Sequence, residues 1–225
     1  MRRRLIELAR RQLPQGYDVN KNFEPQYDPW NQRRCLAPNG DLFRTIRQGK
    51  TEVVTDTIKR LTTTGILLDS GREPAADIIV TATGLNLQLL GGTSVSIDGQ
   101  PVDLFQTMAY KGMMLSGVPN MAFTFGDTNA SWTVKADLVS EFVCRLLKYM
   151  HAKGFAMVVA ERPGTDVDER PIIEDFTPGY VLRVLDWMPK QGSCAPWRVY
   201  HNYFRDLWLI RRGKIAEEDL QFRRR

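Results

Sequence analysis

Asp77-Ile78-Ile79-Val80-Thr81-Ala82-Thr83-Gly84 sets three consecutive apolar β-formers against a tail of small residues. A run of this composition predicts a strand buried on both faces. The shrinkage at Ala82, Thr83 and Gly84 leaves no bulky side chain to hold a ligand away from the backbone, which makes these three candidate cofactor contacts. Two β-rich segments precede the run, residues 51–58 and 65–69, with turn signals such as Ser70-Gly71-Arg72 between the segments. Together the three predict a small β-meander.

Toward the C-terminus, residues 121–125 form a second apolar strand after Pro119-Asn120 and stop at Gly126. Val134, Leu138, Phe142, Leu146 and Met150 then recur every four residues, with Val139, Val143 and Leu147 widening the stripe. That pattern is a strand feeding a long amphipathic helix, for which Thr128, Asn129 and Ser131 are candidate N-caps. Shorter helices are expected after Thr177-Pro178-Gly179 as far as Trp187, and over residues 200–210. Toward the N-terminus, residues 5–13 read as a helix stopped by Pro14 and Gly16, and Asp41 caps a short helix through Gln48. Between them, residues 17–38 form a Pro-rich, aromatic loop whose Phe23, Tyr27 and Trp30 favour order and function over disorder. The class is α/β.

With 225 residues, 43% hydrophobic and 25% charged, the chain supports one large or two small domains with real cores. Its 31 Lys and Arg exceed 26 Asp and Glu, but the excess sits at the ends, in Arg2–Arg4, Arg10, Arg11 and Arg223–Arg225. Such ends read as solvated tails, and no nucleic-acid partner is expected. Cys35, Cys144 and Cys194 form no CxxC pair, which argues against a zinc site or a disulfide framework and fits a reducing cytoplasm. His151 and His201 have no metal-binding spacing. No apolar run reaches the ~18 residues that suggest a membrane span. Leu5, Leu8 and Leu13 among arginines imitate an interfacial helix or a transit peptide, and an internal helix exposed by a late start explains them equally well.

The junction Phe125-Gly126-Asp127-Thr128-Asn129 is the first candidate for chemistry. Unpaired N–H groups and the macrodipole at a helix start favour negative charge, such as that on the pyrimidine ring of a reduced flavin. Arg33, inside the aromatic loop, is the second, because an always-charged guanidinium can stabilise an oxyanion or a phosphate. Lys111 and Lys135 flank the same region. Tyr110 to Met114 could line an apolar pocket, although Met108, Met113, Met114 and Met121 are by default core filler. Asp127 and Asp137 have no spacing that marks an acid pair. No GxGxxG occurs, so no dinucleotide pyrophosphate has its usual cradle.

The run at 77–84 resembles the Asp–apolar–Ala-Thr-Gly segment of flavin-containing and Baeyer–Villiger monooxygenases. Tyr27-Asp28-Pro29-Trp30-Asn31-Gln32-Arg33, Gly40-Asp41-Leu42-Phe43, Met108 to Met114, Thr128 to Trp132 and Asp175 to Tyr180 resemble the same family. The resemblance covers nearly the whole chain. It implies a partial two-dinucleotide-binding flavoprotein fold, with residues 1–92 ending the NADP-binding domain and residues 93–225 forming the returning C-terminal part of the FAD-binding domain. The family's GxGxxG loops and its FxGxxxHxxxW fingerprint would lie upstream. It further implies FAD and NADPH as cofactors, O₂ as oxidant, and a ketone, thioether or thioamide as substrate. Arg33 is similar to the arginine that stabilises the peroxide anion over the flavin, and Gly126, Asp127, Thr128, Asn129 and Trp132 to the segment touching the isoalloxazine ring. Asp127 departs from the residue expected there and resembles the Gly-Asp pair of other two-dinucleotide flavoproteins. The chain by itself is expected to be inactive, needing a missing N-terminal half or a homo-oligomer, or else to persist as a binding protein. A cytoplasmic location is expected, with membrane association left open.

Overall fold

The computed structural model describes the chain except residues 30, 33–37, 129–130, 163, 165–167 and 225. It divides into two compact units, Met1–Leu85 and Asn86–Arg225.

In the first unit, helix α1 (Arg2–Arg10) ends three residues short of the expected Leu13. The residue before a proline avoids helical ψ, so Pro14 ends the helix early and frees Leu13 to enter the core. A short helix α2 (Val19–Phe23) follows, capped by Asp18, whose carboxylate accepts from the Lys21 N–H at 3.0 Å. Helix α3 (Asp41–Arg47) covers the expected stretch, but Gly40 takes the N-cap position and Asp41 is the first helical residue, ion-paired with Arg44 at 2.6 Å, so the expectation that Asp41 caps the helix is corrected. Leu13, Val19 and Ile46 form the core of this unit, with Ile6, Tyr17, Phe23 and Phe43 packed around them. Tyr17 and Phe23, expected in an active loop, are therefore partly structural.

Strands β1 (Ile58–Leu61) and β2 (Ile66–Leu68) form an antiparallel hairpin. The expected strand at 51–58 is thus displaced, because residues 58–61 are the ones placed across the Thr62–Thr64 turn from β2. The third limb begins to pair, with the Ala76 N–H donating to Thr64 O and Ile66 N–H to Pro74 O. The pairing then stops. Residues 77–84 form no strand, and Ile78 and Val80 are 83% and 84% exposed. This corrects the expectation of a strand buried on both faces: a strand needs hydrogen-bonding neighbours, and none of the described residues provides one.

In the second unit, β3 (Ser96–Ile97) and β4 (Gln100–Pro101) close over Asp98-Gly99, both at positive φ as a tight hairpin turn requires. β5 (Ala109–Tyr110) and β6 (Met114–Leu115) form the next hairpin. Residues 121–125 take no strand partner among the described residues, although Phe123 N–H donates to Met113 O at 2.8 Å. That strand expectation is also corrected. Helix α4 (Trp132–Lys153) then runs 22 residues to Gly154, whose φ of 68° ends it in the left-handed conformation. Its buried stripe holds Leu138, Val139, Phe142, Leu146 and Met150, while Leu147 is exposed.

β7 (Met157–Ala160) follows α4, then β8 (Arg170–Pro171), the one-turn α5 (Gly179–Leu182), β9 (Lys190–Gln191), α6 (Tyr203–Arg211) and β10 (Leu220–Arg223). β7 pairs with β10, and β8 with β9, both antiparallel. The helix expected through Trp187 keeps only one α-helical turn and a 3₁₀ turn at Leu185–Trp187. The main core joins α4, α6, β7 and β10 with Met108, Tyr110, Met113 and Met114, so these methionines are core. Lys111 is buried as well. Its ammonium meets Glu217 at 2.9 Å, and the Tyr110 hydroxyl donates to the other Glu217 oxygen at 2.7 Å. Lys111 is thereby a structural tie to the segment before β10.

Candidate cofactor site at the start of the long helix

Three elements bring four titratable side chains together. The turn before α4 supplies Asp127, α4 supplies Lys135 and α6 supplies Asp206, with His201 just ahead of α6. Lys135 lies three and four residues before Leu138 and Val139, on the buried stripe, and Asp206 lies one turn before the buried Ile210. The packing of α4 on α6 therefore presses an ammonium against a carboxylate. Lys135 Nζ and Asp206 Oδ2 are 2.6 Å apart, at 1% and 3% side-chain exposure. Removing either would leave a charge stranded away from water.

Asp127 is 1% exposed, and neither of its oxygens accepts a hydrogen bond from a described residue. Burial pushes its carboxyl up from the usual carboxylate range to about 6; Lys135 works against the lift and Asp206 adds to it. An acceptor buried without a donor is costly, and such groups cluster where a ligand completes the bond. His201 sets its ring beside Phe125, 6.0 Å between centroids. Its Nε2 lies 3.0 Å from Ile172 O and its Nδ1 is buried without a hydrogen-bond partner among the described residues. Burial lowers its pKa, which favours the neutral ring.

Gly126 has a steric reason to be glycine. A Cβ there would stand 2.2 Å from Cγ of Trp132, whose indole also packs near Phe125 at 6.1 Å. In this arrangement the space over Gly126 belongs to Trp132. Ser131 occupies the N-cap position of α4 without a side-chain capping bond. Beside the cluster, Thr128, Arg198 and His201 help to line a polar cleft of about 70 Å³.

The cluster offers a ligand one strong acceptor at Asp127 and the positive end of a long helix. Those features suit a flat, hydroxyl-bearing group with an electron-rich edge, as in a flavin. Of the residues expected to contact cofactor, Gly126, Asp127, Thr128 and Trp132 stand together here. Arg33 and Asn129 lie outside the described residues. Ala82, Thr83 and Gly84 are exposed, in the first unit. Asp137 is exposed and is no partner of Asp127, which has Asp206 instead. Sequence reading missed Asp206 and His201; a lone acid one turn from Ile210 on the apolar face of a helix was the available signal. Among the described residues no cluster of His, Cys, Asp and Glu could hold a metal, and no helix is long and apolar enough to cross a membrane.

No family model matches the chain. It is 69% identical, over all 225 residues, to the FAD-containing monooxygenase EthA of Mycobacterium tuberculosis, of which it spans 46%. It is 61% identical over 222 residues to EthA of Mycolicibacterium smegmatis, covering 99% of this chain and 45% of that protein. It is 44% identical over 222 residues to the probable FAD-binding monooxygenase AlmA of Acinetobacter baylyi, covering 99% of this chain and 44% of that one. The chain thus spans about half the length of the curated relatives it matches. Along its whole length, this chain is homologous to a little under half of an FAD-containing monooxygenase.

Proposed function

We propose that this chain supplies part of the FAD site and the end of the NADP domain of a Baeyer–Villiger-type monooxygenase that uses NADPH and O₂ to oxygenate a ketone or a sulfur compound. On this reading residues 1–92 complete the NADP-binding domain and residues 93–225 the FAD-binding domain. The observation that carries it is the buried Asp127 carboxylate beside the start of α4, whose oxygens accept no hydrogen bond from a described residue, in a chain homologous to FAD-containing monooxygenases.

Bound at this site, FAD would supply the activation of O₂ after reduction by NADPH. Asp127 would accept a hydroxyl hydrogen bond from the cofactor, an interaction worth most where water is excluded. The N–H groups at the start of α4 would favour the negative charge of a reduced flavin, and Trp132, exposed beside Gly126, would help to hold it. Lys135 and Asp206 would hold Asp127 in place, and Arg33 would stabilise the developing oxygen anion as a fixed positive charge. The exposed Ile78 and Val80 support a requirement for further polypeptide to cover the 77–84 run.

The test mixes the 225-residue chain with the part of M. tuberculosis EthA that it does not match, then measures retained FAD absorbance and ketone-dependent NADPH oxidation. Flavin and turnover are expected in the mixture and not in the chain alone. Stoichiometric flavin and turnover in the chain alone would overturn the dependence on a second part. No flavin in either sample would overturn the assignment of Asp127.

A further inference from the structure

Two buried groups at the turn before α4 have opposite preferences for a proton. Asp127 accepts no hydrogen bond from a described residue, so its ionised form is the costly one. Protonated, it can donate to Asp206, which already faces Lys135 at 2.6 Å. His201 is the reverse. A carbonyl only accepts, so His201 Nε2 carries the hydrogen toward Ile172 O, and Nδ1 presents a lone pair. A proton added at Nδ1 meets no described acceptor. The resulting imidazolium would stand one residue before Asn202, the N-cap of α6, where the helix dipole opposes positive charge. Lys135 on α4 and Arg198 oppose it too, while Asp206, which favours it, is engaged by Lys135. Glu174 and Asp175 line the cleft beside His201, and Glu174 is paired with Arg198.

Both groups depend on one strip of chain. Phe125 packs on the His201 ring, and Asp127 follows two residues later. His201 holds this place at φ 48°, in the left-handed region that few residues other than glycine adopt. Such strain persists where surrounding packing enforces it. Lifting the strip from His201 would return the imidazole and the carboxyl to water together.

We propose that Asp127 and His201 are a counter-titrating pair that keeps this turn closed to the same extent from mildly acidic to neutral pH. Acid favours the closed turn through Asp127 and the open turn through His201. Closed, Asp127 holds its proton up to about 6, against 3.8 when open, so closure strengthens as pH falls through 6. Burial lowers the His201 value from an ordinary 6.5, so closure weakens as pH falls below 6.5. Between pH 7.5 and pH 5 each changes the opening equilibrium by about tenfold, with opposite sign. That the turn serves a cofactor rests on the proposed function; the opening itself does not.

Hydrogen–deuterium exchange of the 225-residue chain at pH 5 and pH 7.5, corrected for the intrinsic rate at each pH, tests this. The peptide over residues 121–136 reports the opening and includes the Phe123 N–H bonded to Met113 O. In Asp127→Asn, where His201 is left to titrate, protection is expected to fall about tenfold from pH 7.5 to pH 5. In His201→Asn, whose side chain tolerates the left-handed backbone, it is expected to fall about tenfold from pH 5 to pH 7.5. Parent and double variant should change by less than about threefold, and the α4 peptide over residues 142–150 should stay level in every chain. Shifts of one sign in both single variants, no shift in either, or equal shifts over 142–150 overturn the proposal. If His201→Asn fails to fold, ¹³C NMR of the histidine-labelled parent decides, because His151 is the other histidine of the chain. His201 is expected to keep its neutral Nε2–H form at pH 5, where exposed His151 is charged; titration of the two together overturns the pair. No step needs flavin, so absence of flavin in the complementation test would sink the cofactor reading and leave the pair standing.

Discussion

Replacing Asp127 with asparagine keeps the shape and removes the charge of a buried carboxylate whose oxygens accept no hydrogen bond from a described residue. The folded chain holds the Asp127 proton up to about pH 6, against an ordinary value of 3.8. Each unit is worth about 1.4 kcal/mol, so ionising Asp127 costs the folded state about 3 kcal/mol. The sign follows from proton binding. Between those two values the folded state holds more protons than the unfolded one, so this stabilising effect is complete below pH 3.8 and lost as pH rises through 6. Asp127→Asn has no such proton to lose and is expected to match its parent near pH 4 and exceed it by about 2–3 kcal/mol at pH 8. His201 shifts the opposite way, its contribution falling as pH drops below its ordinary 6.5, but it is present in both proteins and cancels to first order. Urea unfolding of both chains at pH 4 and pH 8 reads the difference directly. An Asp127→Asn chain no more stable than its parent at pH 8 would refute the reasoning, because it would mean that the buried carboxylate is already satisfied.

Two further substitutions probe the same site. Lys135→Met alone should cost about 3–5 kcal/mol by stranding Asp206, while adding Asp206→Leu should restore most of it; equal losses in the single and double variants by urea unfolding would argue against the buried pair. Gly126→Ala should cost more than the 1 kcal/mol or less of an ordinary strain-free change, because its Cβ would overlap Trp132, and Trp132→Ala should relieve that cost. Additive effects of the two changes in a double-mutant cycle would mean that they do not touch.

Long periodic elements were legible because periodicity is local. The apolar residues from Val134 to Met150 announced α4, and the stretch from Asp41 to Gln48 announced α3, each within about a turn of its observed bounds, although Gly40 and not Asp41 takes the N-cap of α3. The strands failed for a physical reason: a strand exists only where a neighbour supplies hydrogen bonds, and 77–84 and 121–125 find no ladder partner among the described residues. The helix over 179–187 was shortened because Val184, at ψ 2°, breaks the run between α5 and the 3₁₀ turn. At the site, Gly126 and Asp127 were visible from the turn they occupy. Asp206 and His201 were not, since Asp206 reaches Asp127 and Lys135, and His201 comes near Lys135 and Asp206, only through the packing of α4 on α6, some 70–80 residues apart in sequence. Lys135 was noticed as a charge near the junction, yet its burial became apparent only when its spacing to Leu138 and Val139 was matched to an observed buried face.

The claim on which the proposed function depends is that Asp127 and the start of α4 hold a flavin. The FAD dissociation constant of the complemented mixture described above, measured at pH 7.5 with parent chain and with Asp127→Ala, tests it most directly. Loss of a hydrogen bond to a charged group should weaken FAD by about 10–100-fold, from 1.5–3 kcal/mol. An unchanged dissociation constant in a folded Asp127→Ala mixture would contradict it.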